Sequence, residues 1–270
     1  MIGVYDSGVG GLGILYELQR RLPHKSFLYL ADTANCPYGK KTDKQIREFA
    51  RRAVSFLINQ GAELVVVACN TATVTSLDYL RSWFSIPIVG VVPVIKTAAE
   101  LTRNNRIGVL GTDVTISSGY QRDLMQKFAG DKEIFSISNP RLVDMIEKGT
   151  ASEDELLACA AESMDIFKKQ GIDTLVLGCT HYTLIRDIFE HLAGGKIIVL
   201  DSNDPVARHT ERLVHEHGLH GTSYNRSNRF VVTKDPQRFQ KAVERYLTPH
   251  AFVEEMAAPV DISVPEKIEL

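Results

Sequence analysis

The sequence is poor in cysteine and lacks the cysteine spacings that are typical of a metal site or a disulfide framework. Its 270 residues contain four cysteines, Cys36, Cys69, Cys159 and Cys179, and no two of them form a Cys-x-x-Cys pair. Structural zinc sites and redox motifs usually show such pairs, and disulfide scaffolds need a far higher cysteine density. We therefore expect no bound metal and no disulfide framework.

The sequence also lacks an excess of charge and any long hydrophobic run. The net charge is -2, which gives no overall field for nucleic acid or an anionic membrane. Glycine and charged residues interrupt each apolar run before it reaches the length of a membrane span, and no basic flank precedes Ile2. We expect a cytoplasmic protein that binds a small molecule and neither nucleic acid nor membrane. Its 44% hydrophobic content can fill the cores of two modest lobes.

What the sequence does contain is a regular alternation of strand and helix patterns, typical of parallel sheets with helical crossovers. Strands are predicted at residues 2–5, 26–30, 63–68, 87–92, 106–112, 133–137, 173–178, 196–200 and 229–233. Helices are predicted at 11–22, 42–60, 70–83, 96–102, 152–170, 204–216 and 236–246. Thr42 with Gln45, and Ser152 with Glu155, fit the capping-box pattern at helix starts. The tail from Ala251 has no period, and we expect little order there.

The pattern occurs twice along the chain. Residues 106–112 repeat the character of residues 2–7, and two apolar strands each end at a cysteine, Cys69 or Cys179, at similar distances from those starts. The duplication predicts an α/β fold with two pseudo-symmetric Rossmann-like lobes, parallel sheets and an active site in the cleft between them. We assign residues 1–96 plus 206–270 to the first lobe and 97–205 to the second.

The two cysteines lie where parallel sheets bind ligands. Strand carboxyl ends and the following helix N-termini present unpaired N–H groups to a crevice. Taken singly, either thiol would be interpreted as a small buried hydrophobe. Their equivalent positions favour a functional pair, and we expect the helix N-termini to lower the thiol pKa values.

Two facing thiols suit the inversion of a carbon stereocentre, in which a base takes a proton from one face and an acid returns one to the other. Each sulfur must then approach the same carbon within about 3–3.5 Å, which separates the sulfurs by about 6–7 Å. A disulfide would need Cβ atoms within about 4.5 Å. The pattern therefore predicts free thiols around a shared substrate.

Each thiol needs a neighbour that can handle its proton. Asp6 ends the first strand, beside the predicted position of Cys69, and His181 follows Cys179 by two residues. Asp6 could instead be a turn residue ahead of glycines, and His181 a loop histidine. We interpret both as candidate catalytic residues.

The segment Gly8–Gly13 matches the dinucleotide-binding pattern G-x-G-x-x-G and has Asp32 about twenty residues further on. This leaves an NAD-dependent oxidoreductase as an alternative from another class. However, Asp6 stands between the strand and the glycines, where its charge would repel a pyrophosphate. The glycines otherwise serve a tight turn and close helix packing.

Six motifs in order resemble the glutamate racemase family of the aspartate/glutamate racemase superfamily. They are Ile2–Gly11, Ala31–Thr33 with Pro37–Gly39, Val67–Ala72, Gly90–Pro93, Leu110–Thr112 with Thr115, and Leu177–Tyr182. The resemblance implies a cofactor-independent enzyme that interconverts L- and D-glutamate with two cysteine bases and supplies D-glutamate for peptidoglycan.

The resemblance also assigns residues. It places the catalytic cysteines on Cys69 and Cys179 and a further glutamate, which assists at the Cys179 side, on Glu147. Substrate contacts fall on Asp6, Ser7, Tyr38, Gly39, Asn70, Thr71, Thr180 and His181. From the residues themselves we expect backbone N–H groups and the side chains of Ser7, Asn70, Thr71, Thr112, Thr115 and Thr180 to hold the substrate carboxylates.

Other expectations remain open at this stage. An aspartate racemase of the same superfamily would carry the same motifs, and a non-enzymatic pair of binding lobes would close on a ligand without turnover. Residues 90–96 resemble the branch activated by a peptidoglycan nucleotide precursor, which makes such a precursor a candidate activator. The resemblance also implies a homodimer. Cys36, in the same loop as Tyr38, has no assigned role.

Overall fold

The computed structural model describes residues 1–91, 93–219 and 228–247, and the backbone of Glu255–Met256. The strands are β1 (Ile2–Asp6), β2 (Phe27–Ala31), β3 (Leu64–Val67), β4 (Ile88–Gly90), β5 (Arg106–Gly111), β6 (Glu133–Ser138), β7 (Thr174–Gly178), β8 (Ile198–Leu200), β9 (Asn228–Val232) and β10 (Glu255–Met256). The helices are α1 (Leu12–Arg21), α2 (Asp43–Asn59), α3 (Asn70–Trp83), α4 (Ile95–Leu101), α5 (Asp113–Ser117), α6 (Gly119–Ala129), α7 (Pro140–Lys148), α8 (Glu153–Lys169), α9 (Thr180–Thr183), α10 (Arg186–Ala193), α11 (Asn203–Glu216) and α12 (Pro236–Tyr246). A 3-10 turn covers Tyr38–Lys40.

The strands form two parallel sheets. One sheet has the order β10-β9-β2-β1-β3-β4 and the other the order β6-β5-β7-β8. The segment β2-β1-β3-β4 of the first sheet therefore repeats the order of the second, as the duplicated sequence pattern predicts. The predicted α/β fold with parallel sheets is confirmed.

Strand register brings the expected residues to one edge of each sheet. In the first sheet β1 lies beside β3 with Tyr5 opposite Val67, so the residues after β1 lie beside Cys69. In the second sheet β5 lies beside β7 with Gly111 opposite Gly178, so Thr112 lies beside Cys179. The two cysteines thus occupy equivalent positions in the two sheets.

Local sequence signals explain several helix starts. The side chains of Thr42 and Ser152 each accept a hydrogen bond from the backbone N–H three residues on, and their own backbone N–H groups donate to the side chain of that residue, so both predicted capping boxes are present. A cap of this kind stabilises a helix by about 1 kcal/mol. The structure adds five helices, α5, α6, α7, α9 and α10, where the sequence pattern predicts none.

The last described segments return to the first sheet. β9 pairs in parallel with β2, and α11 and α12 pack against α1. The predicted lobe boundary after residue 205 falls in the first turn of α11, and the division into lobes stays a prediction. The predicted disorder of the tail from Ala251 concerns residues outside the described ranges, except that Glu255–Met256 pair with β9.

One hydrophobic cluster joins the two sheets. It contains Val4 and Tyr29 from the first sheet together with Leu142 and Leu177 from the second half of the chain, all buried. Burial of apolar side chains on this scale fixes how the sheet edges face one another. In the part of the chain that the structure describes, no helix has the length and apolar character needed to cross a membrane.

Candidate active site

Cys69 forms the first half of the site at the end of β3, where it is the N-cap residue of α3. The residue is 5% exposed. The sulfur donates to the hydroxyl of Ser7 at 3.7 Å and accepts the backbone N–H of Ala72 at 3.5 Å. The helix N-terminus therefore points one of its free N–H groups at the sulfur, as expected from the sequence.

The expected lowering of the Cys69 pKa is wrong. Burial, and after it the negative charge of Asp6, raises the pKa of the Cys69 thiol to about 12, although the Ala72 N–H and the Ser7 hydroxyl oppose the change. Desolvation of a thiolate inside the protein outweighs one helix N–H bond. The resting Cys69 side chain is consequently a thiol, suited to act as an acid.

Cys179 forms the second half at the end of β7, as the N-cap residue of α9, and is 4% exposed. Its sulfur lies 3.6 Å from Nδ1 of His181. Nε2 of the same ring lies 2.5 Å from Oε1 of Glu147, near the end of α7. Glu147 also accepts the backbone N–H of Val9 at 2.9 Å. A relay of sulfur, imidazole and carboxylate thus lies at the cleft.

The charges of this relay follow from its contacts. Burial lowers the pKa of His181, but the hydrogen bonds with Cys179, Cys36 and Glu147 outweigh it and place the pKa well above its usual value. Burial raises the pKa of Glu147, but its bonds to His181, Val9 and Cys36 outweigh burial and lower it. His181 is therefore an imidazolium beside a carboxylate at neutral pH.

Asp6 joins the two halves. Its carboxylate accepts the backbone N–H of Gly8 at 2.8 Å and the hydroxyl of Thr180 at 3.2 Å, so it bridges from the first sheet to the start of α9. Burial raises the pKa of Asp6, and the positive charge of His181 offsets part of the rise. Ser7, rather than Asp6, is the side-chain hydrogen-bond partner of the Cys69 sulfur in the described ranges.

The glycine loop is packed against the second half of the chain and leaves little room for a pyrophosphate. A Cβ atom on Gly8 would lie 1.9 Å from Oε1 of Glu147, and one on Gly10 would lie 2.4 Å from Oγ1 of Thr180. The Val9 amide, which a dinucleotide phosphate would use, already binds Glu147. The glycines serve close approach of the two halves, which disfavours the dinucleotide interpretation.

A group of polar side chains lies between the two sheets at the helix starts. Oγ1 of Thr71 is 2.9 Å from Oγ1 of Thr112 and 3.5 Å from Oγ1 of Thr115. Asn70 is 2% exposed, and its Nδ2 has no hydrogen-bond partner among the described residues. An unpaired buried amide costs about 1–3 kcal/mol, which a bound acceptor would recover.

Tyr38 and Gly39 are brought to the site in different ways. The Tyr38 hydroxyl is buried in the first half, 2.5 Å from the Tyr5 hydroxyl and 2.6 Å from Oδ2 of Asp32, so its polar end is already satisfied. Gly39 faces Thr112, and a Cβ atom there would lie 3.2 Å from Cβ of Thr112. The 3-10 turn therefore contacts the second half through Gly39, while the hydrogen bonds of Tyr38 anchor the turn to the first half.

A small cavity of about 90 Å³ opens between the two halves. Gly39 and Lys40 line it from the first half, and Thr112, Ser138 and Tyr182 line it from the second. Neither Cys69 nor Cys179 is among its lining residues, so it borders the thiol pair at Thr112 rather than enclosing it.

Sequence reasoning missed two contacts at the rim of the site. Arg238, on α12, donates through Nε to the backbone oxygen of Glu147 at 2.7 Å, and its NH2 group lies 3.5 Å from Oε2 of the same residue. Lys40 forms a salt bridge of 3.1 Å with Asp144 on α7. Both pairs join residues about a hundred positions apart, and no local pattern reveals them.

Comparison with known proteins agrees with the geometry. The sequence model of the Asp/Glu/Hydantoin racemase family matches residues 13–210. The chain is 39% identical to a glutamate racemase of Oceanobacillus iheyensis over 245 residues, covering 88% of each chain. It is also 39% identical to one of Pseudomonas aeruginosa, covering 89% of this chain and 91% of the relative.

Solved structures agree as well. The fold matches a glutamate racemase of Bacillus anthracis with a TM-score of 0.85 at 31% identity, covering 97% of this chain and 98% of the other. It matches the Francisella tularensis enzyme, solved with D-glutamate, with a TM-score of 0.82 at 30% identity and 97% coverage of each chain. The Escherichia coli enzyme, solved with L-glutamate and the activator UDP-MurNAc-ala, gives a TM-score of 0.81 at 31% identity. The match covers 91% of this chain and 94% of the other.

The chain belongs to the Asp/Glu/Hydantoin racemase family. Within that family it groups with the glutamate racemases, and it is accordingly an enzyme, an isomerase.

Proposed function

We propose that this enzyme interconverts L- and D-glutamate by moving a proton at Cα between two cysteines, without a cofactor. The observation that carries the proposal is the pair of buried free thiols, Cys69 and Cys179, at equivalent strand ends. A negative charge on Cys179 would add to the raised pKa of Cys69, so the two sulfurs lie within electrostatic reach of each other. Two such groups around one carbon supply both the base and the acid of an inversion.

The two sulfurs have different surroundings, which assigns their starting roles. The imidazolium of His181, 3.6 Å from Cys179, stabilises negative charge on that sulfur and can return a proton to it. Cys69, with a pKa raised to about 12, starts as the proton donor. In the proposed forward step Cys179 takes the α-proton, and Cys69 gives its proton to the opposite face. In the reverse direction the Cys69 thiolate takes the α-proton, and the Cys179 thiol gives its proton to the opposite face of the carbon.

Neutral donors hold the substrate in this proposal. The unpaired Asn70 amide and the Thr71 hydroxyl lie at the N-terminus of α3, where the helix dipole favours an anion. Thr112, Thr115 and Thr180 supply hydroxyls from the opposite half. Preorganised donors of this kind also stabilise charge that develops on the substrate carboxylate when the α-proton leaves.

Several further parts of the function are inferred from the relatives. We place the reaction in the supply of D-glutamate for peptidoglycan, in the cytoplasm, and we propose a homodimer. The Escherichia coli enzyme was solved with UDP-MurNAc-ala as activator, and residues 90–96 resemble that branch, so we propose a peptidoglycan nucleotide precursor as an activator here. An aspartate racemase remains the second candidate, because neutral hydroxyl and amide donors would suit either dicarboxylic amino acid.

Incubation of each glutamate enantiomer in heavy water tests the proposal. Solvent deuterium at Cα of the inverted product, with no added cofactor, is the expected NMR result. Cys69→Ser and Cys179→Ser should each stop racemisation, and Cys159→Ser, a buried thiol in α8, should not. Turnover that survives in either active-site variant would refute the two-cysteine assignment. Exchange from aspartate but not from glutamate would favour the second candidate.

A further inference from the structure

The third thiol near the site, Cys36, has no part in the proposed proton transfer. It precedes Pro37 in the loop between β2 and the 3-10 turn, and it is partly exposed. The fold brings this loop against Glu147 at the end of α7 and His181 in α9. Cys36 therefore lies beside two residues of the relay, Glu147 and His181, from which it is far apart in sequence.

The three side chains form a compact set of metal-binding atoms. The Cys36 sulfur, one ring nitrogen of His181 and one carboxylate oxygen of Glu147 all lie within 4.8 Å of one another. His181 is 3% exposed and Glu147 4% exposed, so the set is shielded on the relay side and approachable from the Cys36 side. The cysteine spacing in the sequence gives no hint of this set, because its members come from three separate segments.

We propose that Cys36, Glu147 and His181 bind one Zn²⁺ ion and that the bound ion inhibits the enzyme. A thiolate, an imidazole and a carboxylate are the ligands that Zn²⁺ prefers, whereas Mg²⁺ and Ca²⁺ take oxygen ligands. Three protein ligands leave a fourth tetrahedral position for water.

The required movements are small. Metal–ligand bonds of about 2.0–2.3 Å in a tetrahedron place neighbouring donor atoms about 3.3–3.8 Å apart. His181 and Glu147 start at 2.5 Å and must separate by less than about 1 Å, while the Cys36 sulfur, at most 4.8 Å from either atom, must close in by no more than about 1.5 Å. Rotation of the Glu147 carboxyl group and the Cys36 thiol can supply both changes, because both are terminal groups of flexible side chains.

Inhibition follows from which residues the ion occupies, and this part rests on the proposed function. A metal on the His181 ring and the Glu147 carboxylate displaces a ring proton to solvent and breaks the hydrogen bond that orients the ring, so His181 no longer carries the positive charge that stabilises a thiolate on Cys179. Zn²⁺ would thereby act as a reversible inhibitor that binds His181 and Glu147 and leaves the thiols of Cys69 and Cys179 free.

Titration of the purified full-length enzyme with Zn²⁺, followed by calorimetry, tests binding without reference to activity. We expect one Zn²⁺ per chain. Co²⁺ at the same site should show a thiolate charge-transfer band. Cys36→Ser and Cys36→Ala should each weaken binding at least about 100-fold and remove that band, since even second-shell changes cost about 10–100-fold. The matched control Cys159→Ser should bind Zn²⁺ as the wild type does.

A second comparison separates this site from chelation by the catalytic thiols. Cys69→Ser should keep Zn²⁺ binding. Equal affinity in the wild type and both Cys36 variants, or loss of binding in Cys69→Ser, would overturn the proposal. In racemase assays each Cys36 variant should lose Zn²⁺ inhibition relative to its own turnover without the metal, and a chelator should reverse the inhibition in the wild type. Binding at Cys36 without inhibition would overturn the inhibitory role, and wild-type protein that binds Zn²⁺ but shows no racemase activity would refute only the proposed function.

Discussion

The imidazole of His181 is held by the carboxylate of Glu147, with 2.5 Å between Nε2 and Oε1. Both side chains are almost fully buried, so the pair interacts in a low-dielectric environment where a charge-assisted hydrogen bond is strong. The other ring nitrogen is thereby directed at the sulfur of Cys179. Glu147 thus acts on the proposed base through the ring that it positions.

Replacing Glu147 with glutamine should reduce turnover and shift its pH dependence. Without the carboxylate, the pKa of His181 falls toward and below its usual value, so the ring loses its proton at lower pH. We expect kcat to drop by about 100-fold and the high-pH limb of the profile to move to lower pH. Glu153→Gln, the same change on an exposed residue of α8, should leave both unchanged. A Glu147→Gln profile that coincides with the wild-type profile would contradict the assignment.

The same variant should change the pH dependence of stability. The folded-state pKa of His181 is raised, so its contribution is complete below about pH 6.5 and is lost as pH rises through the folded value. The folded-state pKa of Glu147 is lowered, so its contribution is complete above about pH 4.3 and is lost as pH falls through the folded value. Glu147→Gln should therefore lower the free energy of unfolding most, by about 3 kcal/mol, between about pH 4.3 and about pH 6.5. Denaturant unfolding over this pH range measures the loss.

Asparagine in place of Asp6 should make Cys69 easier to ionise. The Asp6 charge is the second cause, after burial, of the raised pKa of Cys69, and its removal lowers that pKa. The ultraviolet absorbance of the thiolate, taken as the difference from Cys69→Ser in the same background, measures the change. Asp43→Asn, an exposed change at the start of α2, serves as the control. An unchanged or higher pKa in Asp6→Asn would show that the charge does not act on this thiol.

Alanine in place of Arg238 should slow turnover by loosening Glu147. Arg238 anchors the Glu147 backbone oxygen at 2.7 Å and lies near its carboxylate, and a small misplacement of a catalytic group costs roughly 10- to 100-fold in rate. We expect the loss in kcat, with KM little changed, and partial recovery in Arg238→Lys.

Arg245→Ala is the matched control for Arg238. Arg245 lies on the same helix and donates to the backbone oxygens of Gly149 and Ala151, so its loss weakens the same docking of α12 without touching Glu147. Similar small changes in Tm are expected for both alanine variants. Equal losses of kcat in the two would mean that Arg238 merely docks the helix.

Alanine at Gly8 should damage both the fold and the site. The added methyl group would lie 1.9 Å from Oε1 of Glu147, so the carboxylate or the loop must move. Such overpacking costs about 1–3 kcal/mol, which calorimetry would register as a lower Tm. Gly119→Ala is the control, because the nearest atom to a Cβ there is 3.9 Å away. Equal stability of the Gly8 variant and the wild type would contradict the close approach.

Many of the strands and helix starts can be predicted from local sequence. The apolar, β-branched runs that become β3 and β7 have the composition of buried parallel strands, and Thr42 and Ser152 start α2 and α8 through contacts with their own neighbours. The duplicated order of strands also shows in the sequence, because each half repeats the same succession of patterns. These features depend on residues a few positions apart, which is why a sequence pattern can predict them.

The sequence alone determined that two cysteines end equivalent strands, but only the tertiary structure decided what surrounds them. The burial that raises the Cys69 pKa, the contacts of Glu147 with Val9, His181 and Arg238, and the grouping of Cys36 with the relay all join segments far apart in the chain. Desolvation and hydrogen-bond geometry depend on where the folded segments meet. A local sequence pattern does not show which distant segments come into contact. The strand ends were therefore predictable, and the electrostatics of the site were not.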